Sequence, residues 1–174
     1  NYAACVSDVD AQVGLLMDEL DRSGILEQTI GGLWGDHGWH LGEHGVWGKH
    51  TLFEESLRSP LIISYKDIPK SGEPSKAVVE SIDIFPTLCD IANIPIPEYI
   101  YGKTLKPQLD NPESHGHSAV GFQKHRKTIR TENHRLVLHN NGYAELYDFS
   151  NTKNPSINQA QDFPNIVTQL TEQL

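Results

Sequence analysis

Four short strand-like runs crowd the last third of the chain, Ala119–Phe122, Thr128–Thr131, Arg135–His139 and Glu145–Phe149, and Asn141-Gly142 separates the last two. Asn-Gly supplies the two positive-φ positions of a tight hairpin, so the runs predict a small antiparallel sheet. A helix from Phe163 to Leu174 would close it. The upstream part reads differently. Val6, Val9, Val13, Leu16 and Leu20 alternate at steps of three and four, the mark of one helix face, and Arg22-Ser23-Gly24 reads as its stop. Thr29–Trp34 and Pro60–Tyr65 predict buried strands, and Thr51–Arg58 a short helix between them. A further helix runs from Asp83 to Asn93, with Pro86 in its first turn and Ile84, Leu88, Ile91 and Ala92 facing inward; Pro95 and Pro97 forbid its continuation. The expectation is an α/β fold: strands flanked by helices over residues 1–110, then a small antiparallel subdomain with a terminal helix over 111–174. A polar connection, Asn111 to His117, joins the two.

At 174 residues and 37 % hydrophobic content the chain can bury a real core. Its 14 Lys and Arg against 23 Asp and Glu leave a net charge of −9, which argues against nucleic acid and anionic membrane as partners. An anionic ligand therefore needs a local positive site. No run approaches a membrane span, which points to a soluble protein, and the start at Asn1 lacks the charged and apolar stretches of a signal peptide, which leaves the compartment open. Cys5 and Cys89 make neither a disulfide framework nor a metal knuckle, and both read as small core residues.

The chemistry concentrates between Asp36 and His50, where four of the nine histidines lie. Asp36 and His37 follow a predicted strand, the end at which open α/β sheets place their ligands. An Asp beside an imidazole there can share one divalent cation, with Gly38 letting the backbone turn so that both side chains point one way. Lys49 could reach the same place and hold an anionic oxygen. The same residues also suit a plain turn in which Asp36 caps backbone amides and the histidines pack on Trp39 and Trp47. Zinc on His40, His44 and His50 is disfavoured, because Gly42 and Gly45 oppose the helix that would align the first two. Elsewhere, Glu54, Glu55 and Arg58 read as a salt bridge or cap before the second strand. His125, Arg126 and Arg130 could grip a sugar carboxylate or keep a sheet edge basic. His115 and His117 read as solvated linker residues.

Gly35-Asp36-His37-Gly38-Trp39-His40-Leu41-Gly42-Glu43-His44-Gly45, continued by Trp47-Gly48-Lys49 and by Glu54-Glu55-Ser56-Leu57-Arg58-Ser59-Pro60-Leu61-Ile62-Ile63, resembles the C-terminal half of a type I sulfatase of the alkaline phosphatase superfamily, and within it the iduronate-2-sulfatase group. Asp8 to Gly14, Ile82 to Cys89 and Glu145 to Phe149 agree with the same pattern. The resemblance implies that Asp36 and His37 are ligands of, or neighbours to, a calcium ion, with His37 the weaker ligand or a contact to sulfate or nucleophile. It makes Lys49 a contact to the sulfate, and Lys49 and His37 the catalytic residues. Ligand softness alone would have favoured manganese or zinc.

Family members use a formylglycine made from a Cys/Ser-x-Pro/Ala-x-Arg motif, and this sequence has none; neither Cys5-Val6-Ser7 nor Cys89-Asp90-Ile91 fits. The resemblance thus implies a C-terminal portion, inactive and unstable alone, whose partners are a sulfated sugar and an absent N-terminal half; His125 and Arg126, read from their own basic cluster, are the further candidate sugar-binding residues beside Lys49. Its compartment would be periplasmic, secreted or lysosomal. A phosphonate or phosphate monoester hydrolase of the same superfamily, and a carbohydrate-binding remnant without catalysis, are the competing expectations.

Overall fold

The computed structural model describes residues 1–152 and 155–174. Helix α1 spans Tyr2–Arg22 and ends on Ser23 as the sequence predicts. Its apolar stripe, however, faces solvent: Val6, Val9 and Leu16 are exposed, and so is Cys5, contrary to the expected core position. The spacing defines a face but does not supply its cover: Val13 and Leu20 are half-buried, and no residue of the helix is fully buried.

Strand β1 (Gly31–Trp34) pairs antiparallel with β4 (Leu61–Ser64), the second predicted strand. This two-stranded ribbon is not buried as expected, with Trp34 and Ile62 exposed. Between them the chain forms a miniature antiparallel ribbon, β2 (His40–Leu41) with β3 (Trp47–Gly48), whose tip holds His44 at φ 56°. A one-turn helix, α2 (Glu54–Leu57), follows.

Helix α3 (Ile84–Ile91) starts after a capping box between Glu80 and Asp83. Its buried face is Pro86, Thr87 and Cys89, whereas Ile84, Leu88 and Ile91 are half-buried and Ala92 exposed. Polar contacts choose this face. The Thr87 hydroxyl donates to the Asp83 carbonyl at 2.6 Å and accepts the Leu105 amide at 2.8 Å, tying the helix to the segment ahead of α4 (Lys106–Asp110). His117 is not a solvated linker residue: its Nε2 lies 2.7 Å from the fully buried Asp83 carboxylate. His115 is exposed as expected.

The C-terminal sheet forms as predicted, in the order β5 (Ala119–Gln123), β6 (Arg126–Arg130), β7 (His134–His139), β8 (Ala144–Asp148), all antiparallel, with Gly142 at φ 83° in the last turn. Its two faces differ. Ile129, Leu136 and Leu146 are cross-strand neighbours, and Leu170 of α5 (Pro164–Thr171) covers that row to make the hydrophobic core. Period-two alternation sends Gln123, Arg126, Thr128, Arg130, Arg135, Val137, His139 and Tyr147 to the opposite face. That face seats residues 50–57. Among the described residues no helix is long and apolar enough to cross a membrane.

Candidate active site

The site grows from the end of β1. The Gly35 amide still bonds the Pro60 carbonyl at 3.0 Å, after which Asp36 and His37 leave the ribbon. Gly38 then passes so close to α2 that its amide donates to the Ser56 carbonyl at 2.8 Å, and a Cβ there would lie 2.0 Å from the Glu55 carbonyl oxygen. Glycine is needed at 38 for this approach rather than for an unusual turn.

The structure brings Asp36, His37 and Lys49 together. His37 Nδ1 sits 2.8 Å from the Gly38 carbonyl, which can only accept, so Nδ1 carries the proton. Nε2 is left with its lone pair and accepts from the Lys49 ammonium at 2.6 Å. The Asp36 carboxylate stands 3.4 Å from the same Nε2 and is 76 % exposed. One ring nitrogen thus gathers a carboxylate and an ammonium from opposite ends of a loop.

Helix α2 supports this cluster through almost every residue. The Ser56 hydroxyl meets Thr51 Oγ1 at 2.9 Å, and Thr51 Oγ1 meets Nε2 of the fully buried His40 at 2.8 Å. Glu55 lies 3.4 Å from His44, whose ring stacks on Phe53 at 4.1 Å. His40 Nε2 is thereby engaged by Thr51 and His44 by Glu55 and Phe53, while His50 stands on the exposed rim. Glu54 reaches the C-terminal sheet, accepting from Arg135 at 2.6 Å and Arg130 at 3.2 Å. Burial is the strongest influence on the Glu54 carboxyl and pushes it up, but the two guanidiniums together outweigh it and hold the group below the usual carboxylate range. Burial likewise lowers Arg135, against the pull of Glu54.

Sequence reasoning placed the Glu54 salt bridge on its own segment with Arg58, whereas the partners lie in the sheet. Arg130 is therefore spent on Glu54 and on the Phe149 ring, 3.8 Å away, and is not available to a sugar. Gln123 was missed altogether: its amide donates to the His50 carbonyl at 2.7 Å and its oxygen accepts from Arg126. His125, on the exposed turn between β5 and β6, and Arg126, the half-buried first residue of β6, thus sit beside the loop that carries Lys49. Nothing short of the sheet register could have found that link.

Asp36 offers a carboxylate to a cation, whereas the one lone pair of its neighbour His37, on Nε2, is taken by the Lys49 ammonium. Calcium takes about six to eight oxygen ligands, and among the described residues no third His, Cys, Asp or Glu joins them. Asp36 fits as part of a cation site, with His37 as its neighbour.

Residues 42–174 match the family described as N-sulphoglucosamine sulphohydrolase, C-terminal. The N-acetylglucosamine-6-O-sulfatase of Bacteroides thetaiotaomicron is 40 % identical over 111 residues, 64 % of this chain and 20 % of that protein. The iduronate 2-sulfatase of Mus musculus is 34 % identical over 121 residues, 56 % of this chain and 22 % of that one. Among solved structures, a protein in complex with its substrate D-glucosamine-2-N,6-O-disulfate superposes with a TM-score of 0.89 at 30 % identity, over 99 % of this chain and 39 % of that chain. The chain spans about a third or less of the length of these curated relatives. With the family matched over most of its residues and the mixed α/β architecture shared, the chain belongs to the N-sulphoglucosamine sulphohydrolase C-terminal family, among the sulfatases of the alkaline phosphatase superfamily.

Proposed function

We propose that this chain supplies the sulfate-binding lysine and part of the cation site of a sulfuric ester hydrolase acting on a sulfated carbohydrate. The observation that carries the reading is the meeting of Lys49 Nζ with His37 Nε2 at 2.6 Å beside the Asp36 carboxylate. Lysine has three N–H donors. One is given to His37, and two remain to take sulfate oxygens. Because the ammonium is already anchored, little reorganisation is needed as charge builds on the transferring group. Asp36, with His37 beside it, would hold a divalent cation, calcium by family resemblance, whose charge when bound offsets that of the sulfate oxygens. With its proton on Nδ1 committed to Gly38 and its Nε2 lone pair to Lys49, His37 acts as the anchor of the lysine rather than as the acid that expels the alcohol.

The nucleophile in this reading is a formylglycine from a segment outside these residues, so the chain alone would be inactive and its main partner would be that remaining part. The sugar is an amino sugar or uronic acid: the motifs resemble the iduronate-2-sulfatase group, and a matched relative is named for N-acetylglucosamine 6-sulfate. A periplasmic, secreted or lysosomal setting suits such a substrate.

The test is sulfate release by the complete protein that carries this chain, offered glucosamine 6-sulfate, iduronate 2-sulfate and a phosphonate monoester. Turnover of a sulfated sugar well above the phosphonate supports the reading. Preference for the phosphonate would overturn it in favour of the related hydrolase, and no turnover of any would favour a binding remnant.

A further inference from the structure

The basic run Lys124-His125-Arg126-Lys127 is anomalous in a chain whose net charge is −9. Lys124 and His125 join β5 to β6, Arg126 and Lys127 open β6, and the run stands beside the turn that joins β7 to β8. The Asn140 amide donates to the His125 carbonyl at 2.9 Å, which ties the two turns together. Between them runs an open crevice lined by His125, Arg126, His139, Asn140 and Asn141. Arg126 and His139 are direct cross-strand partners on the sheet face that seats residues 50–57. The crevice wall is also linked to the site loop, since Arg126 donates to Gln123 and Gln123 donates to the carbonyl of His50, the residue after Lys49.

The lining is suited to an oxyanion. Of the five N–H donors of Arg126, the Gln123 bond uses one. Asn140 and Asn141 add side-chain amides, and no carboxylate lines the walls. Behind them, Glu145 accepts from His139 Nε2 at 2.6 Å and from the Tyr147 hydroxyl, so its charge is met by its own neighbours and the imidazole is held in place. We propose that this crevice is a second anion subsite, which takes a carboxylate or a further sulfate of the same sugar chain whose sulfate ester lies at Lys49. It rests on the sulfatase reading and deepens it: the enzyme would select polyanionic saccharides over esters with a single charge.

The experiment compares kcat/KM of the complete protein for three substrates: a glucosamine 6-sulfate linked to a uronic acid, an N,6-disulfated glucosamine, and a neutral aryl sulfate. Arg126→Gln is expected to lower the ratio of either polyanionic substrate to the aryl sulfate about tenfold or more, as loss of a charge-assisted hydrogen bond does. The loss should lie chiefly in KM, and Arg126→Lys should restore part of it. If only the uronate arm falls, the subsite reads a carboxylate; if only the disulfate arm falls, it reads a sulfate. Equal loss on all three substrates would mean a structural role, and an unchanged ratio would mean no subsite; either overturns the proposal. The exposed His125→Ala, which removes no side-chain hydrogen bond among the described residues, repeats the comparison if Arg126→Gln fails to fold. Wild-type protein inactive on every sulfate ester would instead sink the sulfatase reading itself.

Discussion

Glu54 and Arg135 meet at 2.6 Å although 81 residues separate them in the chain. Arg135 is 5 % exposed and Glu54 15 %, so this is a largely buried pair, and Arg130 completes a triad around one carboxylate. It fastens the short helix beneath the candidate site to the C-terminal sheet.

Removing Glu54 leaves two guanidiniums facing each other without their counter-ion. Glu54→Ala should cost about 3–5 kcal/mol, the range for breaking a buried pair by deleting one partner. Denaturant titration of variant and wild type at neutral pH checks this, and a change within experimental scatter would show the triad to be energetically idle.

The same carboxyl predicts a pH dependence. Its folded-state value lies below the ordinary 4.5, so the unfolded chain binds the proton more readily than the folded one. The stabilisation is present above the ordinary value and is lost as pH falls through the lower, folded one. Unfolding free energy followed downward from pH 6 should decline in this window, and less steeply in Glu54→Gln.

Gly38→Ala would force a methyl to within 2.0 Å of the Glu55 carbonyl. Backbone cannot yield as a long side chain would, so the expected loss is about 1–3 kcal/mol, as for overpacking. A melting temperature equal to wild type would mean that the strand end and α2 are not held at this distance.

The exposed stripe of α1 predicts association. Val9 and Leu16 lie seven residues apart on one face, and with their neighbours they form an apolar surface of a kind monomers seldom display. Light scattering of the 174-residue chain should find oligomers, and Val9→Lys with Leu16→Lys should shift it toward monomer. A monodisperse wild-type chain would contradict this.

Local signals were the legible ones. Asn141-Gly142 placed a hairpin, the three-and-four spacing of Val6 to Leu20 placed a helix, and the Gly35–Lys49 motif placed three side chains that the structure gathers around one imidazole nitrogen. What stayed hidden depends on contacts distant in sequence. Arg130 and Arg135 could not be matched to Glu54, nor Gln123 to His50, because alternation tells which residues share a face and not what lies opposite it. The buried side of α3 was misjudged for a related reason: Thr87 bonds Leu105 from 18 residues away, and that polar bond outranks the apolar count. Exposure of α1 was illegible because periodicity carries no information about the surface that would cover it.

The most direct test concerns the lysine that meets His37. In the complete protein, Lys49→Ala should lower kcat for sulfate release from a sulfated glucosamine or iduronate about 10²-fold or more, the cost of losing one preorganised donor to a developing oxyanion, while its circular dichroism matches wild type. A variant that releases sulfate within twofold of the wild-type rate would show that the ammonium does not hold the transferring group, and the account of the site would fail.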